Sequence, residues 1–205
     1  IINDERGTPV AGGVQLRGGV SLLSAQAACP FRGYARHRLS STAVNEPIPG
    51  ISARHKGIFV HHALARIWDQ LGSSAQLSAL DRAARSQLIR HAVGQVLTPL
   101  PFETALERQL FFVERDRLLE LLDRWLMFEA ERGDFEVIER EFAVQAEFAG
   151  LLFSTRIDRV DRNQDGALVI VDYKTGKASK SDWTVPRVNE PQLPFYRSEE
   201  RRVGK

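Results

Sequence analysis

Two carboxylates and a lysine, Asp158, Asp172 and Lys174, have the types and spacing to do chemistry together. They lie in LLFSTRIDRVDRNQDGALVIVDYKTGK, residues 151–177, which reads as two strands joined by a tight turn at Asn163-Gln164-Asp165-Gly166. Side chains on a strand alternate faces, so Asp172 and Lys174, two apart, project the same way. If Gln164–Gly166 is a three-residue turn with Gly166 left-handed, Asn163 pairs with Ala167 and Asp158 falls opposite Asp172. Another loop length shifts that register by one residue. Two carboxylates in cross-strand contact repel unless a cation sits between them. Oxygen donors of this kind suit a hard divalent ion such as magnesium. A lysine beside them can orient a water and neutralise charge on a phosphoryl group.

The elements that must position these groups follow from periodicity. The apolar run Leu168-Val169-Ile170-Val171 predicts a buried strand that delivers Asp172. Upstream, Phe135–Phe148 reads as a further strand on which Glu139 and Glu141 share a face, the usual place of solvated cross-strand partners. Lys56–Trp68 opens an amphipathic helix. Its spacing places Ile58, His61, Leu64, Ala65 and Trp68 on one face and His62 on the solvated side with Arg66 and Asp69. An inward histidine is either a satisfied core residue or a ligand. Two more helices are predicted over Ser74–Leu97 and Glu103–Arg132, separated by Thr98-Pro-Leu-Pro101. In the second, Leu118, Leu119, Leu122, Trp125, Leu126 and Glu129 recur at helical spacing. Phe111, Phe112 and Trp125 are expected in the core, with these helices packing the sheet. A short helix over Ser24–Leu39 is interrupted at Pro30.

The chain has 205 residues, enough for one domain with a sizeable core. Hydrophobic content of 43% and charged content of 26% are those of an ordinary globular protein. With 28 basic and 26 acidic residues the net charge is +2, so a nucleic-acid surface must be a local patch. No apolar run reaches membrane-spanning length and no signal peptide precedes the domain, so no membrane partner is expected. The single cysteine, Cys29, excludes an intrachain disulfide and fits a reducing compartment. Residues 1–20, glycine-rich and aperiodic, read as the tail of an upstream region or linker, or as a trimmed end. Arg197–Lys205 look like the in-frame translation of a sequencing-adapter end, so the native chain is expected to be cut short after about Tyr196.

The ordered set of Gly57-x-x-x-His61, Arg156-Ile-Asp158-Arg-Val-Asp161, Val171-Asp172-Tyr173-Lys174-Thr-Gly176 and Gln192-Leu-Pro-Phe-Tyr196 resembles the PD-(D/E)XK nuclease superfamily. Its wording looks like the RecB-type branch found in bacterial recombination helicase–nucleases, and the likeness spans Ser21 to Tyr196. The resemblance implies an α/β fold with a restriction-endonuclease-like core, a mixed central sheet flanked by helices. It implies a Mg2+- or Mn2+-dependent deoxyribonuclease, with exonuclease action in DNA repair and recombination. Asp158, Asp172 and His61 would hold the ion with the Tyr173 carbonyl, Glu141 being a further candidate acid. Lys174 would position the attacking water. Gln192 and Tyr196, one helical turn apart, would support DNA or the metal site, and Arg156 either contacts phosphate or forms a surface salt bridge. The implied partners are DNA and a helicase or helicase-like region, in the bacterial cytoplasm at the nucleoid.

Two departures stand beside these matches. Thr155 replaces the glycine usual before R-I-D-R, which a strand tolerates. Cys29-Pro-Phe-x-x-Tyr34 resembles the motif whose cysteine, with three late ones, holds a 4Fe-4S cluster in some relatives. Those three are absent here, so no cluster is expected in this chain and Cys29 is expected as a buried small hydrophobe. The alternatives kept are a catalytically silent DNA-binding or scaffolding module, a CRISPR-adaptation-type nuclease, and an unrelated binding domain.

Overall fold

A computed structural model describes residues 9–10, 18–44, 50–97, 104–148 and 151–176, the side chains of 146–148 and 151 excepted. The order is α1 (Val20–Ala28), α2 (Pro30–His37), α3 (Ala53–Leu71), α4 (Ser74–Ser78), α5 (Arg82–Val96), α6 (Ala105–Ala130), β1 (Phe135–Phe148), β2 (Leu151–Asn163) and β3 (Leu168–Val171). The fold is of the mixed α/β class, its described sheet antiparallel with strand order β1-β2-β3. The described residues divide into two compact units. One draws on 1–45 and 143–157, the other on 46–142 and 158–177.

In the first unit, Pro30 opens α2 at a position where its missing N–H costs nothing, and Cys29 is extended between the two helices. Cys29 is only half-buried, contrary to the expected core position, because it caps helices at both sides instead of lying on an apolar face.

The second unit holds the larger core. Leu64, Ile67 and Trp68 of α3, Ile89 and Val93 of α5, Leu118, Leu122 and Leu126 of α6, and Phe135 and Val137 of β1 are buried in one cluster with Tyr173. Each such side chain contributes roughly 1.5–3 kcal/mol by leaving water. Helix starts are written in the sequence: Ser52, Ser73 and Asp81 each accept a backbone N–H three residues on, and Thr104 with Glu107 forms a reciprocal capping box. Asp81 also corrects the expectation of one helix over Ser74–Leu97. Its extended backbone and capping carboxylate start a new helix, so the segment is two helices, α4 and α5. The end of α3 is stitched to β1, where the Ser74 hydroxyl accepts from the Phe135 N–H at 3.0 Å and Val137 N–H donates to the Gly72 carbonyl at 2.8 Å.

Two further expectations are revised. The buried face of α3 runs through Val60, Ala63, Leu64, Ile67, Trp68 and Leu71, which turns Ile58 out to solvent and leaves His61 at the rim. β3 is only half-covered among the described residues, with Leu168 51% exposed, because an apolar run reads alike for a central strand and for a partly covered one. Phe112, expected in the core, is likewise 41% exposed and lies beneath the Arg115 guanidinium.

Candidate metal centre

The β2–β3 hairpin sets the site. Gly166 has φ +77°, its N–H donates to the Asn163 carbonyl at 3.0 Å, and the Asn163 N–H donates to Ala167 at 3.0 Å. A side chain at that φ is strained, so glycine fixes this loop length. The ladder then pairs Arg162 with Leu168, Asp161 with Val169, Val160 with Ile170 and Arg159 with Val171. It stops there. The next pair in this register, Asp158 and Asp172, lies just past the last rung, as do Tyr173 and Lys174.

Around that point three ligand-bearing groups converge. Single donor atoms of His61, Glu141 and Asp158 lie within 4.8 Å of one another. His61 Nδ1 is 3.1 Å from Asp158 Oδ1, and the other carboxylate oxygen, Oδ2, accepts the Tyr173 N–H at 2.7 Å. Asp172 is not one of the three; its Oδ2 forms an ion pair with Lys174 Nζ at 2.9 Å. The hydrogen bond to Asp158 raises the His61 pKa above its ordinary value against the opposing effect of burial. The charge of Glu141 and a backbone hydrogen bond at Tyr173 add to the rise. Burial raises the Asp172 pKa; the Lys174 ammonium opposes this and the Asp158 charge adds to it.

Glu141 reaches the cluster by a break in strand geometry. Its φ is +47°, a left-handed conformation costing a non-glycine residue roughly 1–2 kcal/mol. Simple alternation therefore fails: Glu139 is exposed and Glu141 half-buried, so the two do not share one environment as the strand pattern predicts. Gly57 serves the same centre by close approach, since a Cβ there would meet the Thr175 hydroxyl at 3.2 Å. A larger side chain on α3 would press on the segment that carries Lys174.

A family model for the PD-(D/E)XK nuclease superfamily matches residues 19–198. The chain belongs to this superfamily. A search of curated proteins found no match. PD-(D/E)XK nucleases use divalent metals, and the residues present fit such an ion. Asp172, its side chain 2% exposed, stands close enough to Asp158 to feel its charge, and Asp158 lies beside one His61 nitrogen and the Glu141 carboxylate. Buried carboxylates that repel one another are stabilised by a hard cation, and oxygen donors with one nitrogen suit magnesium or manganese.

The other residues singled out from the sequence are placed as follows. His62 is exposed, on the solvated side of α3 as its spacing predicts. Arg156 is exposed on β2, two residues before Asp158. Gln192 and Tyr196 lie outside the described residues. Among the described residues no helix is long and apolar enough to cross a membrane.

Sequence reasoning missed the charges beneath the site. Arg159, 1% exposed, donates to the Tyr173 hydroxyl at 3.0 Å, to Glu129 at 2.9 Å and to Asp161 at 2.8 Å. Arg132 closes the group with bonds to Glu129 at 2.8 Å and Asp161 at 3.1 Å. The Arg159 guanidinium also lies over the Trp68 ring, 4.4 Å from its centroid. Two cations and two anions balance. Burial raises the Asp161 pKa despite both arginines, and it raises the Tyr173 phenol well above its usual value, so the hydroxyl stays neutral.

Proposed function

We propose that this chain is a magnesium- or manganese-dependent deoxyribonuclease of the RecB type. It hydrolyses phosphodiester bonds as an exonuclease in DNA repair or recombination, alongside a helicase or helicase-like region. The observation that carries this reading is the convergence of His61, Glu141 and Asp158 next to the Asp172–Lys174 ion pair.

His61, Asp158 and Asp172, with Glu141 and the Tyr173 carbonyl, would hold the ion, which supplies Lewis-acid stabilisation of phosphate oxygens and a more acidic water. The chain's own residues do the rest. Asp158 is fixed through both oxygens, by His61 and by the Tyr173 N–H, so its orientation is set before substrate arrives. Lys174 is 37% exposed, and its ammonium can hold a water in line with a phosphate while its charge offsets that developing on the phosphoryl oxygens. The water oxygen bonds to phosphorus as the bond from phosphorus to the 3′ oxygen breaks, and a proton given up by the water ends on that oxygen, leaving a 3′-hydroxyl and a 5′-phosphate. The test is calorimetric titration of manganese with parallel cleavage of a DNA oligonucleotide in magnesium. Asp158→Ala is expected to lose both; an Asp158→Ala chain with parental affinity and cleavage overturns the reading.

A further inference from the structure

The residues that would do chemistry lie past the end of the β2–β3 ladder, whose last pair is Arg159 with Val171. Backbone pairing therefore does not carry the register through Asp172-Tyr173-Lys174. What crosses the gap is Tyr173. Its N–H holds Asp158 Oδ2 at 2.7 Å, its ring meets the His61 ring edge-on at 5.9 Å, and its hydroxyl receives the Arg159 guanidinium at 3.0 Å. Arg159 is itself immobilised by Glu129, Asp161 and the Trp68 face.

A buried ion network is a poor way to gain stability alone, because desolvating four charges offsets most of their attraction and apolar side chains of similar volume would serve. Such networks do fix geometry, since each partner has few alternative positions. This one reaches the site through a neutral group, the Tyr173 phenol, which receives the Arg159 guanidinium. We infer that Arg159 and Tyr173 form a positioning pair that locks the Asp172–Lys174 segment against Asp158 and His61. Neither side chain is a catalytic residue. The inference rests on the nuclease reading above and adds to it how the site is held rigid.

The test uses the full chain with Tyr173→Phe, which removes one hydroxyl and keeps the ring and the peptide N–H. Partners of metal ligands typically carry about ten- to a hundredfold in affinity or activity. Manganese affinity by calorimetry is expected to fall about tenfold. The kcat for DNA cleavage is also expected to fall about tenfold or more, with KM for DNA within about twofold, because groups that only aim others act on the chemical step. Arg159→Lys should give a similar loss, and the double variant should be no slower than the worse single one, since the pair acts as a unit. A folded Tyr173→Phe chain with parental affinity and kcat overturns the inference, as does strict additivity in the double variant. If Tyr173→Phe fails to fold, Arg159→Lys takes its place in the same measurements. Should the parental chain bind manganese yet cut no DNA, the nuclease reading fails by itself. The positioning pair then stands or falls on the manganese affinity of Tyr173→Phe.

Discussion

Replacing Lys174 with alanine separates chemistry from structure most sharply. Lys174 Nζ lies 2.9 Å from Asp172 Oδ2, an attraction of about 1.4 kcal/mol in a water-like dielectric and several times that in a protein-like one. The lysine is 37% exposed, so screening keeps the useful value near the lower figure, while Asp172 at 2% exposure keeps its desolvation cost when the cation is removed. The metal-free variant should therefore lose about 1–2 kcal/mol, read as about 2–4 °C in Tm per kcal/mol for a chain of this size. Manganese should restore most of that loss, because an ion neutralises the carboxylate that the lysine had paired. Its affinity should be parental or tighter, the competing ammonium being gone. Cleavage should fall about a hundredfold or more, the scale of deleting one preorganised electrostatic group. The assay pairs thermal unfolding and calorimetry, with and without manganese, with single-turnover cleavage of an oligonucleotide. A folded, manganese-binding Lys174→Ala chain that cuts at the parental rate would refute the role given to this residue.

The His61 pKa is raised, so the proton on its ring contributes stability that is present below about pH 6.5 and lost as pH rises through the folded value. A metal must displace that proton, so manganese affinity should weaken about tenfold per pH unit below the raised pKa. Titrations across pH 5.5–8 should find this slope in the parent and in His62→Ala, and a flattened one in His61→Ala; equal slopes in all three would show that His61 is no ligand. Gly166→Ala should cost about 1–2 kcal/mol in unfolding free energy, since φ is +77° and nothing lies within 4 Å of the added Cβ to compensate or clash. Denaturant melts check this, and a neutral result would mean that the hairpin loop relaxes to another turn.

The β2–β3 hairpin was legible because its information is local. The turn residues Asn163 to Gly166 select one loop length, and loop length fixes which residues face each other. The end of the ladder was not legible. Strand pairing stops at Arg159 and Val171, and no residue beside them in the sequence announces that stop. Likewise the helical period of 53–71 puts His61 on the inner side, but whether it lies in the core or at its rim depends on which residue centres the buried face. The structure centres that face on Leu64 and Ile67, and a rim position leaves the His61 ring accessible to a ligand. The kink at Glu141 had no signature, because a left-handed glutamate within a strand is imposed by tertiary contacts against its own preference.

The buried charges are the more instructive failure, since their letters were in view. Glu129 recurs in phase with Leu118, Leu122 and Leu126, an acid at a core position of α6 that calls for a buried cation. Arg159 and Asp161 alternate with Asp158 along β2, so they must occupy the opposite face of the sheet. An apolar stripe admits an acid only with a partner, and the buried cation that Glu129 calls for is supplied by Arg159 together with Arg132. Long-range pairing of Glu129 with Arg159, 30 residues apart, is then a consequence of burial instead of an accident of packing. The step that remains out of reach is Tyr173, whose hydroxyl could equally have faced water. Its place against Arg159 follows only once β3 is known to end at Val171, which frees the residues beyond it to turn inward.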